Sequence, residues 1–473
     1  MRRGLRRLAA APALLALAAS SAACGPARSP EAGKPWNVIV LLVDTLRADH
    51  LSLYGDPRPT SPFLESLARE SVVFDHAQSQ SGCTFPSVAS ILTSQPANLF
   101  MAHIGENGMA VPGGLPYLPD VLHRHGYATA AVSASLIVRD TPSEINHQGG
   151  YGRGFGTFDE SCLEKSAACV QARAGEILRT LPEPFFLYLH YLDPHAPYRP
   201  PRWSPRHFAT GHPARSWVRL GQPERIFRKL YEGDTGIVFG RQDLTFFRDL
   251  YDDEIRFLDG QLADFVRDLG ERGLLSRTIL VLMADHGEEL LDHGHFGHCR
   301  NLAYQTLLHT PLLIRLPGGA PAGRREAEVD NQDVMPTILD YLGIGTSDGE
   351  PALAGRSLRL VIQGTDRPVH RLHFSLQGTV RTVNDGRFKL LVDLAGERAG
   401  EGAGEGAGGG ESLYDLEADP GETRDVAAAH PRVEAALRHA LERWVEAIEG
   451  ADTAQSVRRA REHQRRLKAL GYL

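Results

Sequence analysis

The stretch "NVIVLLVD" at residues 37–44 decides the fold of this chain. It is a continuous apolar run that ends in Asp44. A strand with one solvent-exposed face alternates apolar and polar residues. A strand of a parallel sheet that is covered by helices on both sides is apolar throughout. The run therefore predicts a central strand of an α/β domain, with a carboxylate at its end.

Two later stretches repeat this design. "EPFFLYLHYLDPH" at 183–195 runs into Asp193 and His195, and "RTILVLMADHGEE" at 277–289 runs into Asp285 and His286. Ligands of open α/β sheets bind beyond the carboxyl ends of the strands. We therefore expect three strand ends to present their ionisable residues to one crevice.

Helical patterns separate the strands, among them 61–70 and 249–273, where apolar residues recur at spacings of three and four. This alternation predicts a large, mixed and mostly parallel sheet sandwiched by helices. The runs 310–318 and 333–344 close that domain. Shorter strand-like runs follow, such as "RFKLLVDL" at 387–394, and they predict a smaller C-terminal sheet-plus-helix subdomain.

The sequence also predicts how the chain is divided. We expect an export signal at 1–24, a linker at 25–36, a catalytic domain at 37–345, a C-terminal subdomain at 346–448 with a Gly-rich loop at 399–411, and a helical tail at 449–473.

The first 24 residues join a basic start to a short Ala-rich apolar stretch and small residues before Cys24, as export signals do. "SAAC" at 21–24 resembles a bacterial lipoprotein cleavage site, although Ser21 stands where an aliphatic residue is usual. We expect an exported bacterial protein. Both a periplasmic form and a form anchored to the membrane by a lipid on Cys24 fit the sequence.

Composition limits the partners. The chain has 473 residues, 42% of them hydrophobic, and a net charge of −7. It has no long basic block outside its termini, which argues against a nucleic-acid partner because phosphate contacts need a positive face.

Cys162 and Cys169 lie close enough in sequence to form a disulfide in an oxidising compartment, or they are two unpaired thiols.

Asp44, Asp285 and His286 offer two carboxylates and an imidazole, a set that suits a divalent cation such as Ca²⁺, Mn²⁺ or Zn²⁺. Each alone could be an ordinary cap or turn residue, and only their shared position favours a metal. His195 and His298 could donate hydrogen bonds to an anionic ester or protonate its leaving group.

The neighbours of these residues permit further interpretations. A second hypothesis adds Asp193 to His195 and His298, opposite the cation, to handle the leaving group or to bind a second metal. His293 and His295 belong to the same dense group of histidines, of which one or two are expected to be functional. We expect Glu288, Glu289 and Asp292 to be loop and capping residues.

The segment "SGCTFPSVASILTS" at 81–94 contains two candidate nucleophiles, Cys83 and Thr84. Pro86 fits the first turn of a helix, which places Thr84 or Phe85 at the cap, where free backbone N–H groups favour an anion. A hydroxyl there would touch a bound sulfate or phosphate. Alternatively, Thr84 only caps the helix.

Six stretches, in order from about residue 37 to the closing "LKALGYL", resemble the sulfatase family of the alkaline phosphatase superfamily. They are "NVIVLLVDTLRADHLSLYG", "TSPFLESLARESVVFDHAQSQSGCTFPSVASILTS", "LDPHAPYRPP", "YDDEIRFLDGQLADFVRDL", "VLMADHGEELLDHGHFGH" and "SLYDLEADPGETRDVA". The resemblance implies a hydrolase of sulfate or phosphate esters, acting at one divalent cation held by Asp44, Asp285 and His286, with Ca²⁺ favoured. Its substrate would be a sulfated or phosphorylated small molecule or glycan.

Two positions depart from the family pattern. The family often has a second Asp where this chain has Thr45. Formylglycine sulfatases carry Cys-x-Pro-x-Arg, and alignment on "PSVASILTS" puts Thr84 in the Cys position and Val88 in the Arg position. We therefore expect Thr84 to be the nucleophile and a metal ligand, with no formylglycine. Cys83 is expected to be an unmodified neighbour that activity does not need.

Three functions fit the residues. The first is the ester hydrolase, and the second is a phosphoryl or phosphoethanolamine-type transferase with a Thr nucleophile. Such membrane-bound transferases usually carry several N-terminal spans, which this sequence does not show, so the hydrolase is favoured. The third is a catalytically silent binding protein on the same fold. Loss of Asp44, Asp285 or His286 would have indicated such a protein, but all three residues are present.

Overall fold

The computed structural model describes residues 35–100, 109–163, 166–210, 241–347, 350–365, 368–394 and 410–449. The predicted export signal, nearly all of the linker, most of the Gly-rich loop and the C-terminal tail beyond residue 449 lie outside the described residues.

An eight-stranded sheet forms the centre of the large domain. Its strands are β1 (Asn37–Val43), β2 (Val72–Gln78), β3 (Ala128–Ser133), β4 (Thr157–Asp159), β5 (Phe185–Tyr191), β6 (Thr278–Ala284), β9 (His309–Arg315) and β10 (Gly323–Asp330), with the short ribbon β7 (Glu289–Leu290) and β8 (Phe296–Gly297) beside it. The order is β10-β2-β9-β6-β1-β5-β3-β4, and within this sheet β9 alone is antiparallel to β1. The predicted mixed, mostly parallel sheet is confirmed.

Helices cover both faces of this sheet. They are α1 (Pro62–Leu67), α2 (Thr84–Thr93), α3 (Leu118–Arg124), α4 (Ala167–Ile177), α5 (Arg241–Glu271), α6 (Gln305–Leu308), α7 (Val334–Leu342) and α8 (Arg359–Ile362). Alternate side chains of β1 enter two apolar cores, one shared with α2 and α7 and the other with α1, α4 and α5. The strand is therefore buried on both sides, which explains its continuous apolar sequence.

The C-terminal subdomain is a separate antiparallel sheet. Its strands, in spatial and chain order, are β11 (His373–Gln377), β12 (Val380–Asn384), β13 (Phe388–Asp393) and β14 (Glu411–Asp415). Helix α9 (Pro431–Glu449) packs on this sheet, with Leu437 and Leu441 buried against Val383, Leu390 and Leu413. The predicted smaller sheet-plus-helix unit is confirmed.

Helix α5 also holds the segment that follows β5. Three acidic residues at 252–254 are buried in it. Asp253 accepts hydrogen bonds from the backbone N–H groups of residues 207–209, and Glu254 accepts one from that of Arg199. Across the described ranges, we find no helix with the length and apolar character needed to cross a membrane.

Two histidine–carboxylate pairs join the C-terminal subdomain to the large domain. His370 Nε2 lies 2.9 Å from the Asp333 carboxylate oxygens, and His373 Nδ1 lies 2.7 Å from Asp330 Oδ1. Burial lowers the pKa of each histidine, but the hydrogen bonds and negative charges of the two aspartates raise it by more. Both pKa values are therefore raised above 6.5.

This junction predicts a pH dependence of stability. A histidine with a raised pKa in the folded state stabilises the fold fully below its unfolded pKa, about 6.5, and that contribution is lost as pH rises through the folded value. We expect the unfolding midpoint in urea to fall from about pH 6.5 upward. The variant His370→Gln/His373→Gln should show a flatter profile, whereas His439→Gln, on the exposed face of α9, should follow the wild type. Parallel profiles for the double variant and the wild type would contradict this role.

Candidate active site

The carboxyl ends of β1 and β6 form the centre of the site. The two strands are neighbours in the sheet; Asp44 follows β1 directly, and Asp285 and His286 follow β6. One ligand atom from each of these three residues lies within 4.8 Å of the others, and all three are buried. The structure therefore brings together the three residues that the sequence proposed as metal ligands.

The ring of His286 is oriented by the backbone of the next residue. Its Nδ1–H donates to the carbonyl oxygen of Gly287 over 2.8 Å, which assigns the proton to Nδ1 and leaves a lone pair on Nε2. That Nε2 lies 3.7 Å from Asp44 Oδ1 and 3.5 Å from Asp285 Oδ2. An imidazole lone pair thus faces both carboxylates.

Asp285 is held from several sides. Its Oδ1 accepts hydrogen bonds from the backbone N–H groups of His286 and Thr45, at 2.8 and 3.3 Å. Its backbone carbonyl accepts hydrogen bonds from the hydroxyls of Ser79 and Ser87, at 2.5 and 2.6 Å. Because Ser87 belongs to α2, these contacts tie the start of that helix to the end of β6.

The donor set fits a divalent cation. Among the described residues, the buried Asp44 Oδ1 and Asp285 Oδ2 have no hydrogen-bond partner, and both are the oxygens nearest to His286 Nε2. Buried carboxylate oxygens without donors are costly unless a positive charge compensates them. Two carboxylates and one imidazole are ligands that Ca²⁺, Mn²⁺ and Zn²⁺ accept.

Thr84 lies beside this cluster. Its Oγ1 is 3.2 Å from His286 Nε2, and it is the first residue of α2. The prediction that Thr84 or Phe85 occupies the cap is wrong by one residue, because the extended backbone of Cys83 makes Cys83 the N-cap. As the first helical residue, Thr84 directs its hydroxyl to the cluster, and Pro86 lies in the first turn as expected.

His195 and His298 lie next to the cluster. Their ring centroids are 4.9 Å apart, and the ring of His298 is 4.7 Å from that of His286. His298 Nδ1 is 2.8 Å from Glu288 Oε1, and Glu288 is fully buried. The interpretation of Glu288 as a loop or capping residue is therefore wrong, because its carboxylate orients a histidine of the site.

The electrostatics of the two carboxylates differ. Burial alone would raise the pKa of Asp44, but a hydrogen bond with His190 and the nearby imidazoles of His195 and His286 hold that pKa below its usual range. Burial and the negative charge of Asp44 raise the pKa of Asp285 well above its usual range. A bound divalent cation would favour the ionised form of both carboxylates.

Burial sets the charge state of the histidines. It lowers the pKa of His286 to about 4, with His298 adding a smaller effect in the same direction. Burial likewise lowers the pKa of His298 to about 4, and it raises that of Glu288 to about 7. The imidazoles of His286 and His298 are therefore neutral at pH 7, which is the form that binds metals.

His190 is a site residue that the sequence analysis missed. It is the sixth residue of β5, is fully buried, and has its Nε2 3.4 Å from Asp44 Oδ2. Its Nδ1 is 2.9 Å from the hydroxyl of Tyr188. The available signal was an imidazole inside a buried strand, where a polar group requires partners.

Asp193 is hydrogen-bonded to the start of a helix. Its Oδ2 accepts a hydrogen bond of 2.7 Å from the backbone N–H of Ala167, the first residue of α4. This contact does not support the hypothesis that Asp193 handles the leaving group. His293 is also engaged elsewhere, since its ring stacks on Tyr304 at 3.6 Å and its Nε2 bonds the carbonyl of Gly421.

Glu289 and Asp292 act as loop and capping residues, as predicted, because they accept hydrogen bonds from the backbone N–H groups of His293 and Leu290, and they bind side chains as well. Glu289 Oε1 lies 2.9 Å from His293 Nδ1. Asp292 forms salt bridges with Arg47 and Arg248, at 2.6 and 2.7 Å. The two carboxylates thus brace the loop that follows His286.

Two disulfides are present in the described chain. Cys162 and Cys169 are paired, which decides between the two alternatives that the sequence left open. Cys83 is bonded to Cys299, so the prediction of an unmodified Cys83 is wrong. A cysteine in this bond offers no thiol for oxidation to an aldehyde.

Comparison with known proteins identifies the family. The sequence model described as Sulfatase matches residues 36–344. This chain belongs to the sulfatase family. Among curated sulfatases, human iduronate 2-sulfatase is 23% identical over 337 residues, which cover 60% of each chain. Human arylsulfatase A is 26% identical over 475 residues, covering 90% of this chain and 89% of its own.

Solved structures agree on the fold. The phosphonate monoester hydrolase of Agrobacterium radiobacter superposes with a TM-score of 0.64 at 19% identity, covering 87% of this chain and 96% of its own. A 2-O GAG sulfatase superposes with a TM-score of 0.68 at 18% identity, covering 90% and 94%. The alignments with four of the curated relatives span 60%, 48%, 65% and 52% of the length of those relatives.

The two departures from the sulfatase pattern have structural counterparts. Val88, in the Arg position of that pattern, is fully buried in the apolar core beneath α2. Thr45, in the place of a second Asp, has a left-handed backbone with φ of 57°, which is rare for a β-branched residue. Its carbonyl accepts a hydrogen bond from the hydroxyl of Tyr251 over 2.6 Å, which holds this conformation at the edge of the site.

Proposed function

We propose that the protein is a metal-dependent hydrolase of sulfate or phosphate esters, with Thr84 as its nucleophile. The observation that carries the proposal is the position of Thr84 Oγ1, 3.2 Å from His286 Nε2 and beside the carboxylates of Asp44 and Asp285. Membership of the sulfatase family supports the same chemistry.

Four residues would hold one divalent cation: Asp44, Asp285, His286 and Thr84. When bound, the cation would lower the pKa of a coordinated hydroxyl and polarise the oxygens of the ester group. The family resemblance favours Ca²⁺, whereas the imidazole ligand suits Mn²⁺ and Zn²⁺ better.

The chain supplies the remaining functions. Thr84 attacks the sulfur or phosphorus atom, and the ester's alcohol leaves on the opposite side. The backbone N–H groups of the first turn of α2 stabilise the anionic group by about 0.3–1 kcal/mol. His195 and His298 bind the anion, whose negative charge favours the protonated imidazole; a ring protonated in this way then donates to the departing oxygen, and Glu288 fixes the ring of His298 for that role.

The chemistry of the nucleophile indicates which esters the protein would hydrolyse. A formylglycine hydrate can release its sulfate by elimination, whereas an ester on Thr84 must be attacked by water. We therefore propose that phosphate esters turn over at least as readily as sulfate esters. Relatives named for both chemistries share the fold, since a 2-O GAG sulfatase and phosphonate monoester hydrolases superpose on this chain. A sulfated or phosphorylated small molecule or glycan is the proposed substrate.

A substrate panel tests the proposal. Chromogenic sulfate esters, phosphate monoesters, phosphodiesters and phosphonates should be assayed with Ca²⁺, Mn²⁺ and Zn²⁺ in turn. We expect metal-dependent release of the alcohol, with water as the acceptor. Transfer to an added alcohol in preference to water would favour the transferase. Binding of inorganic phosphate without turnover of any ester would favour a silent binding protein.

We also propose that the protein is exported. Cell fractionation should find the mature chain outside the cytoplasm, because residues 1–24 have the charge and apolar pattern of an export signal. Mass spectrometry of the N-terminus should show a diacylglyceryl Cys24 or a cut nearby. If Cys24 is lipidated, Cys24→Ala should move the protein from the membrane to the soluble fraction. An intact Met1 on the mature protein would refute export.

A further inference from the structure

The Cys83–Cys299 disulfide joins two segments of the proposed active site. Cys83 directly precedes Thr84, and Cys299 directly follows His298. The two cysteines are 216 residues apart in sequence, and their Cα atoms are 4.7 Å apart. Both are buried. The bond therefore sets the distance between the proposed nucleophile and the proposed leaving-group histidine.

The segment that carries Thr84, residues 79–87, which we call the nucleophile segment, is anchored independently of this bond. Ser79 and Ser87 donate to the carbonyl of Asp285, so the chain on both sides of Thr84 is attached to the end of β6. The carbonyl of Gln80 accepts a hydrogen bond from the backbone N–H of Leu376 in β11. Cys83 thus lies on a well-held part of the structure.

The segment that carries His298, residues 296–301, is held in another way than the nucleophile segment. His298 lies between the two-residue strand β8 and the short helix α6. Cys299 has a left-handed backbone with φ of 58°, a conformation that residues other than glycine adopt only when their surroundings impose it. The backbone N–H of Cys299 donates to the carbonyl of Gly82 over 3.0 Å, alongside the disulfide. Contacts with the nucleophile segment therefore impose this conformation.

We propose that the Cys83–Cys299 disulfide is a positioning element for the reaction. It holds His298 at the distance from Thr84 that protonation of the leaving group requires. This inference rests on the proposed function of Thr84 and His298. A displacement of about 1 Å in such a group can lower the rate about 10²-fold, so loss of the bond should affect turnover more than substrate binding.

The chain contains its own control. Cys162, which follows β4, and Cys169, in the first turn of α4, form a second disulfide, and neither half-cystine is adjacent to a proposed site residue. Removal of either disulfide takes away a cross-link. Only removal of the first should change the geometry around Thr84.

The test compares Cys83→Ala/Cys299→Ala with Cys162→Ala/Cys169→Ala. We expect the first variant to lose about 10- to 100-fold in kcat with KM changed less than about threefold, and the second to stay within about twofold of wild type. His298→Ala should lower kcat less in the first variant than in the wild type, because His298 is already misplaced there. Wild-type kcat in the first variant, or full additivity with His298→Ala, would overturn the proposal.

A second measurement does not depend on activity. Peptide mapping without reductant should find Cys83 linked to Cys299, and two free thiols would overturn the proposal. Hydrogen exchange of residues 294–301 should be faster in the first variant than in the wild type, and unchanged exchange would also overturn it. If the wild type hydrolyses no ester, the proposed function fails, while hydrogen exchange still decides whether the bond positions this segment.

If Cys83→Ala/Cys299→Ala does not fold, chemical reduction of the folded wild-type protein tests the same proposal. A small dithiol attacks the disulfide, becomes a cyclic disulfide itself, and leaves two thiols on Cys83 and Cys299, with two electrons and two protons transferred. We expect kcat to fall after this reduction and to recover on reoxidation. In Cys162→Ala/Cys169→Ala, where this bond is the one that remains, reduction should have the same effect. A kcat unaffected by complete reduction would contradict the proposal.

Discussion

Thr84→Ala is expected to lower kcat by on the order of 10³-fold or more, because it removes both the attacking oxygen and one proposed metal ligand. The hydroxyl lies 3.2 Å from His286 Nε2 at the start of α2. Thr84→Ser keeps the oxygen and should retain a measurable part of the activity. Steady-state kinetics on the best ester from the substrate panel gives both values.

Thr93→Ala is the matched control for this prediction. Thr93 is a buried threonine at the other end of the same helix, and its hydroxyl donates to the carbonyl of Ala89 over 2.6 Å. Its loss should lower stability and leave kcat close to that of the wild type. An active Thr84→Ala, or a formylglycine aldehyde found at Cys83 by mass spectrometry, would contradict the Thr84 mechanism.

Asp285→Ala should abolish metal binding and reduce activity by on the order of 10³-fold. Its side chain supplies one of three proposed ligand atoms that lie within 4.8 Å of one another. Asp285→Asn keeps the size of the side chain and one carbonyl oxygen, so it separates loss of charge from loss of packing. Metal analysis after dialysis should find about one ion per chain in the wild type and almost none in Asp285→Ala.

A stability measurement checks the same assignment without a substrate. Added Ca²⁺, Mn²⁺ or Zn²⁺ should raise the Tm of the wild type, because a ligand that binds only the folded state stabilises it. The Tm of Asp285→Ala should not respond. Asp264→Asn is the control, since Asp264 is 58% exposed and pairs with Arg267 on the surface of α5. Stoichiometric metal in Asp285→Ala would show that the ligands lie elsewhere.

Much of the fold could be predicted because the decisive signals are local. The continuous apolar runs of β1, β5 and β6 indicate strands buried on both faces, and such strands belong to parallel sheets covered by helices. Parallel neighbours end at the same edge of the sheet, so the order of residues along the chain was enough to place Asp44, Asp285 and His286 together. The start of α2 was predicted to within one residue from Pro86.

The partners of single side chains could not be predicted in this way. Asp193 follows β5 as Asp44 follows β1, yet the structure turns its carboxylate to the backbone N–H of Ala167. Glu288 resembles any loop glutamate in the sequence, and only the fold of its loop brings it to His298. Such choices depend on the direction of a side chain after a strand ends, and sequence spacing does not determine that direction.

The sequence by itself therefore determined the buried strands and their acidic ends, because each depends on a periodicity or a spacing of a few residues, and the family resemblance favoured Thr84 over Cys83 as the nucleophile. The tertiary structure decided how the neighbours Cys83 and Thr84 are oriented relative to the cluster. It did so by bonding Cys83 to Cys299, across 216 residues of chain, while leaving the hydroxyl of Thr84 beside His286. Contacts between residues so distant in sequence form only when the sheet brings its strand ends together.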